Sequence, residues 1–278
     1  MPPGVPRCQD RSGEGNPCDA RGVLVPVVAA IAYLLTFAAI FLWLPLLAVL
    51  VVVTWPFDRN RRIAGRFLRL LAAFATWTFP YWRIRIEGAW PADDRAYVVV
   101  SNHQSILDIF MLSRVPREMK WVAKKELFSI PWIGWMFRLS GDIPVNRGQA
   151  ASGRDAMARA REYLGRGMHV MLFPEGTRSR DGKMLPFKPG AFKLAIDAGV
   201  PILPIAIHGA AEGMPKGSPW VRPARVRARL LAPVETAGMG EDDVARLTAE
   251  VRGRIEAAVL ELQAGSAVAA APAAPASR

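Results

Sequence analysis

The order of residues predicts an α/β protein: a mixed, mostly parallel sheet flanked by helices, preceded by an N-terminal membrane-associated helical segment. Three observations carry that prediction. From Trp82 onward, short apolar runs of strand character alternate with stretches of helical periodicity, the pattern of strands joined by crossover helices. Before them, residues 23–57 hold 35 consecutive positions without a charge, more than a core helix needs. Two polar motifs, residues 102–108 and 173–179, each follow directly on an apolar run, where a parallel sheet collects its functional groups.

Taken in order, residues 1–22 read as a mobile polar tail. Residues 23–80 read as membrane-associated helices, residues 81–263 as one globular domain, and residues 264–278 as a disordered Ala/Pro tail. As one straight helix, the uncharged stretch would be about 52 Å long against a hydrocarbon core of roughly 30 Å. It is therefore either a long tilted helix or two helices turning near Pro45. Arg59, Arg61, Arg62, Arg66 and Arg69 crowd its C-terminal flank, whereas Arg7, Arg11 and Arg21 on the other side are balanced by Asp10, Glu14 and Asp19. That asymmetry predicts a cell inner membrane or other cytoplasmic membrane, with the domain facing the cytoplasm. The arginine-rich segment 63–79 is expected to lie along an anionic membrane face.

Seven strands are expected, at 82–86, 97–100, 120–123, 143–145, 169–173, 202–207 and 226–231. Pro201 and Pro204 assign the sixth to an edge or a bulge. Helices are expected at 106–113, 126–139, 150–164, 191–198 and 242–262. The two cysteines, Cys8 and Cys18, make no disulfide framework and no zinc spacing. With 36 Lys+Arg against 24 Asp+Glu, the net charge of +12 asks for an anionic partner. The uncharged stretch selects membrane lipids over nucleic acid, for which no binding motif is present.

His103 and Asp108 stand five residues apart at the start of the helix expected at 106–113. Five helical residues turn about 500°, so the two side chains meet only if His103 lies outside the helix and folds back over it. The carboxylate then holds one ring nitrogen and leaves the other as a general base for a hydroxyl. The helix start also offers backbone N–H groups to a developing oxyanion. In the second motif, Glu175 orients a substrate hydroxyl or the loop backbone, and Gly176 allows close backbone approach. Arg178 presents a planar fork suited to phosphate. Lys124, Lys125 and Arg147 add cations after two further strands. No cluster has metal-ligand spacing and no GxSxG elbow is present. His169 and His208 read as structural.

Four blocks in this order resemble the glycerolipid acyltransferase family of the lysophosphatidic acid type. They are Asn102-His103 with Asp108, Gly141 to Arg147, Phe173 to Ser179, and Val200 to Pro204, and the resemblance covers about residues 82–235. It implies that residues 81–263 form an acyltransferase domain. The implied reaction moves a fatty acyl group from acyl-CoA or acyl carrier protein to the sn-2 hydroxyl of 1-acylglycerol-3-phosphate (lysophosphatidic acid), giving phosphatidic acid. The thioester is a co-substrate, and no cofactor or metal is implied. By similarity His103 is the base and Asp108 its orienting partner. Glu175, Gly176 and Thr177 would position the acceptor, and Arg178, Arg147 and Lys124 would bind its phosphate. Two alternatives stand beside this reading: an acyltransferase for another lysolipid such as a lyso-ornithine lipid, and a non-catalytic membrane protein that binds anionic lipids.

Overall fold

The computed structural model describes residues 18–179, 183–218 and 220–268. Residues 1–17 of the expected polar tail, with Cys8, and residues 269–278 of the expected Ala/Pro tail lie outside the described residues. Helix α1 (Cys18–Thr54) already begins inside the stretch expected to be a tail. It runs through both Pro26 and Pro45 without turning back, so the hairpin at Pro45 is not formed. The chain instead reverses over residues 55–61, where the Asp58 carboxylate accepts the Arg62 and Ile63 N–H groups at 2.7 and 2.8 Å. These are the orphan donors that open α2 (Arg62–Thr78). Trp43 stacks on Phe67 at 4.6 Å and donates its indole N–H to the Phe67 carbonyl, zipping the two helices together.

The segment Val27–Thr54 is long and apolar enough to cross a membrane, and little of it is buried. The surface of α2 departs from expectation. Ile63, Leu70, Phe74 and Trp77 are exposed, and their spacing puts them on one outward stripe. Arg62 at the helix start is exposed, but Arg66 and Arg69 turn inward, as does Arg61 just before the helix. Arg61 and Arg66 donate to the carbonyls of Leu139 and Val115, and Arg69, 3% exposed, pairs with buried Asp142. Carbonyl acceptors and a buried carboxylate were available to them beneath the helix, so its outward face is apolar rather than cationic.

The seven expected strands all form: β1 (Trp82–Glu87), β2 (Val98–Ser101), β3 (Met119–Lys124), β4 (Ile143–Val145), β5 (His169–Leu172), β6 (Ile202–His208) and β7 (Ala224–Leu230). Their order across the sheet is β1-β7-β6-β2-β5-β3-β4, and every neighbouring pair is parallel except β6 with β7. The fold is therefore the mixed, mostly parallel sheet predicted. β6 is an interior strand, against the edge position that its prolines suggested. The antiparallel ladder with β7 begins at Ile205, and the Pro204 carbonyl accepts the Leu231 N–H at 3.0 Å. The missing proline N–H thus points to the side where that ladder ends, and no bond is lost.

Between the strands run α3 (Leu107–Leu112), α4 (Ile133–Ser140), α5 (Ala150–Gly165), α6 (Gly190–Ala198), the single turn α7 (Ala210–Gly213) and the closing α8 (Val244–Val268). The helix expected over 126–139 is split. A 3₁₀ turn covers Lys125–Ser129, Pro131 cannot continue it, and Trp132 takes φ 62° before α4 starts. Helix α8 reaches five residues into the stretch expected as a disordered tail.

Strand alternation divides the core in two. Val98 and Val100 of β2 face α5, α6 and α8, while Tyr97 and Val99 face α3 and the α1 residue Ala32. Helices α1 and α2 therefore sit against one face of the sheet only. A buried ionic cluster fastens α2 there. Asp142 accepts the Trp121 N–H at 3.0 Å and the Ser140 hydroxyl at 2.9 Å beside Arg69. Lys120 Nζ donates to the Arg61 and Ser140 carbonyls and to Glu118. Burial pushes the Glu118 carboxyl up to about 7 and lowers Lys120. Gly65 makes the approach possible, since a Cβ there would fall 1.8 Å from Glu118 Oε1.

Candidate active site

Five parallel strands end at one edge of the sheet, and each expected site residue follows one of them. β2 delivers His103, β5 delivers Glu175 to Arg178, β3 ends at Lys124, and β4 precedes Arg147. Asn102 locks the first of these ends. Its side chain donates to the Ile207 carbonyl and accepts the Ile207 N–H, both at 2.8 Å, tying β2 to β6.

His103 lies outside α3 and turns back over it, as its spacing from Asp108 demanded. Its Nδ1 is 2.8 Å from Asp108 Oδ2. An ionised carboxylate only accepts, so Nδ1 carries the proton and Nε2 is left with its lone pair. The same Oδ2 accepts the N–H groups of Gln104 and Ser105 at 2.7 and 2.8 Å, and Asp108 is fully buried. One carboxylate thereby shapes the loop and fixes the tautomer. These bonds also correct an expectation: the N–H groups of Gln104 and Ser105 are occupied by Asp108 and are not free for an oxyanion. The His103 ring stacks on Phe173 with centroids 3.9 Å apart, which restricts its rotation.

Glu175 serves the backbone here, one of the two roles its chemistry allowed. Oε1 accepts the His103 N–H at 2.7 Å and Oε2 the Leu185 N–H at 2.9 Å. It joins the two motif loops directly behind the histidine. Burial holds its carboxyl up at about 7 and neighbouring Asp108 adds to this, while the two N–H donors oppose it. A raised value means that the fold favours the protonated carboxyl. That contribution is complete below the ordinary glutamate value of 4.5 and is lost as pH climbs through about 7. Between pH 5 and 8 the apparent unfolding temperature of the wild type should fall more steeply than that of Glu175→Gln. The variant should also start lower by about 1–3 kcal/mol, because its amide NH₂ faces a backbone N–H that has lost its acceptor. Thermal melts at the two pH values check both statements.

Gly176 has φ +70°, and a Cβ there would meet the Cε and Nζ of Lys188 at 3.1 Å. Gly176→Ala is therefore expected to cost about 1–2 kcal/mol in backbone strain and to displace the ammonium. A lowered melting temperature together with a raised KM for the acceptor is the predicted result.

Among the expected phosphate ligands, Arg147 and Arg178 follow β4 and β5 at this one sheet edge. Partial burial holds Arg147 below its ordinary value; the Glu126 carboxylate opposes this and the Arg178 charge adds to it. Lys124 is exposed and is paired with Glu126 at 3.0 Å, so it sits at the rim. Thr177 and Arg178 are steadied by a residue that motif reading missed. Lys216 Nζ reaches the Thr177 hydroxyl at 3.2 Å and the Arg178 carbonyl at 2.8 Å. Lys188 is a second missed cation: it stands two residues before α6, and its N–H bonds the Pro174 carbonyl of the motif loop. His169 lies at the opposite sheet edge, pushed down to about 4 by burial and by Arg117 and Arg62.

A family model described as acyltransferase matches residues 83–208, which contain all of the expected site residues. The chain is 41% identical to a chloroplastic 1-acyl-sn-glycerol-3-phosphate acyltransferase of Brassica napus over 58% of its own length and 47% of that protein's. It is 37% identical to 1-acyl-sn-glycerol-3-phosphate acyltransferase alpha of Mus musculus, over 76% of this chain and 75% of that one. Of the Brassica napus, Chlamydomonas reinhardtii and Arabidopsis thaliana relatives it spans 47%, 62% and 54% of the length. The crystal structure of the 1-acyl-sn-glycerophosphate acyltransferase of Thermotoga maritima has the same fold. The TM-score is 0.71 at 28% identity, covering 88% of this chain and 98% of that one.

Proposed function

The chain belongs to the acyltransferase family of these 1-acyl-sn-glycerol-3-phosphate acyltransferases, and from that membership we propose that it acylates the sn-2 hydroxyl of 1-acylglycerol-3-phosphate. The donor is a fatty acyl thioester, acyl-CoA or acyl carrier protein, and the product is phosphatidic acid. The observation that carries this reading is the His103–Asp108 pair at 2.8 Å, set at the sheet edge where β4 and β5 also lead to Arg147 and Arg178. Lipid binding alone has no need of an oriented base.

His103 Nε2 takes the proton of the acceptor hydroxyl as its oxygen attacks the thioester carbonyl. Asp108 keeps the proton on Nδ1 and stabilises the imidazolium. Collapse of the tetrahedral intermediate breaks the carbon–sulfur bond, and the departing thiolate takes the proton back from Nε2. Because the thioester is already activated, this reaction calls for no metal, redox cofactor or acyl-enzyme intermediate. Arg178 and Arg147 hold the acceptor phosphate with Lys124 at the rim, and Glu175, Gly176 and Thr177 shape the loop that presents it. The apolar surfaces of α1 and α2 draw the enzyme to the bilayer where its acceptor resides. The arginine asymmetry across α1 supports the cytoplasmic side of a cell inner membrane.

The test is thiol release from oleoyl-CoA by the full chain in lipid nanodiscs, with and without 1-acylglycerol-3-phosphate. Release that requires this acceptor supports the reading. Its absence with both oleoyl-CoA and an oleoyl acyl carrier protein overturns it, and release that requires a lyso-ornithine lipid instead reassigns the acceptor.

A further inference from the structure

A groove of about 930 Å³ runs between α5 and α6, and Phe173, Pro174 and Gly176 of the second motif form its inner end. Phe173 is the residue on which His103 stacks, so one residue of the lining touches the catalytic ring. Its cations exceed what the acceptor phosphate needs. Beyond Arg147, the walls carry Arg154 and Arg161 from α5, and Lys188 and Lys193 from the start of α6. Lys193 is paired with Glu241 at 2.7 Å, and Asp197 is the one acid in the lining. Arg154, Arg161 and Lys188 form no salt bridge among the described residues. The floor between them is apolar, made by Met157, Leu172 and Leu194.

Arg154, Met157, Ala158 and Arg161 follow the spacing that places four residues on one face of a helix. The two arginines are separated by two turns, about 10 Å along the axis. That spacing suits two anionic groups along the groove better than one. The groove also opens on the face of the sheet covered by α5, α6 and α8, away from α1 and the apolar stripe of α2. A lipid acceptor approaches from the α1–α2 side, so the opposite face is where a water-soluble, multiply anionic substrate would enter.

We infer that the α5–α6 groove seats the phosphate-bearing nucleotide of a coenzyme A-type acyl donor, with Arg154 and Arg161 gripping anionic groups two helical turns apart and the pantetheine arm running inward past Phe173 to His103. This rests on the acyl-transfer reading and adds to it the place and class of the donor. A concave groove with an apolar floor suits a small nucleotide, whereas an acidic carrier protein would dock on the exposed cationic surface around it.

The experiment compares the wild type with Arg154→Gln and Arg161→Gln singly and together, using Arg159→Gln on the outer side of α5 as the charge-matched control for each single substitution. Steady-state rates are taken with oleoyl-CoA, with an oleoyl acyl carrier protein, and with S-oleoyl-pantetheine, which keeps the thioester and lacks every phosphate. The expected result is a KM for oleoyl-CoA raised about tenfold or more by loss of two charge-assisted contacts. The KM values for S-oleoyl-pantetheine and for the acceptor should not move, and Arg154→Lys/Arg161→Lys should recover part of the loss. An unchanged KM for oleoyl-CoA overturns the inference, as does an equal rise with S-oleoyl-pantetheine. A rise confined to the carrier-protein donor overturns it in favour of a protein-docking face. Calorimetric binding of free coenzyme A separates this inference from the reading beneath it. If no donor releases thiol, the acyl-transfer reading fails. Coenzyme A binding that the double substitution weakens about tenfold still upholds the groove as a nucleotide site, and absence of binding removes it.

Discussion

His103→Ala is expected to lower acceptor-dependent thiol release on the order of 10²–10⁴-fold, the range for removal of a positioned general base. The loop should survive the change. Asp108 still accepts the Gln104 and Ser105 N–H groups, and Glu175 still accepts the backbone N–H of residue 103. The loss should therefore appear in kcat with little change in KM for either substrate, and the melting temperature should stay close to that of the wild type. Asp108→Asn should also lower kcat, but by a different route. Its amide can present an N–H to Nδ1, which moves the ring proton to Nε2 and removes the lone pair that the hydroxyl needs. Steady-state kinetics in nanodiscs beside a thermal melt check both variants. A His103→Ala enzyme that keeps most of its kcat would leave the reaction class intact and remove His103 as its base.

The largest expected effect on stability lies at the membrane side. Asp142→Asn keeps an oxygen for the Trp121 N–H but strands the Arg69 guanidinium, which is 3% exposed and has no other carboxylate bonded to it among the described residues. Breaking one partner of such a buried pair costs about 3–5 kcal/mol. For a domain of this size the apparent melting temperature should fall by roughly 10 °C. Arg69→Met in the same background should recover much of it, since an apolar side chain of similar length leaves no charge uncompensated. A melt in which Asp142→Asn behaves like the wild type would show that the cluster does not hold α2 in place.

What could be read from the chain beforehand was whatever depends on local pattern. All seven strands and the relation of His103 to α3 follow from short apolar runs and from how far five helical residues rotate. What could not be read depends on partners distant in sequence. Pro204 points to an edge strand until the ladder with β7 is known to begin one residue later. Arg69 reads as a membrane-facing charge because Asp142, 73 residues away, is invisible to any local window. Lys216 stands 38 residues from the Arg178 carbonyl that it holds, in a stretch without periodicity to draw notice. The helix break at Pro131 is the exception, since its cause lies in the local sequence itself. At the site, the chemistry of Glu175 left substrate and backbone as equal prospects, and only its two N–H partners decide between them.

The pairing of β1 with β7 has a consequence for how the protein is made. β1 follows directly on α2, yet among the described residues its one neighbour in the sheet is β7, and Glu87 meets Arg227 at 2.8 Å across 140 residues of chain. At a translation rate of about 5–20 residues per second, β1 waits about 7–28 s for its partner to be synthesised. During that interval α1 has already left the ribosome and can enter the bilayer, while the strand beside it presents open hydrogen-bonding groups at the lipid surface. A nascent chain arrested before residue 224 would be anchored with that edge bare, so premature termination should generate membrane-bound aggregates rather than a soluble fragment.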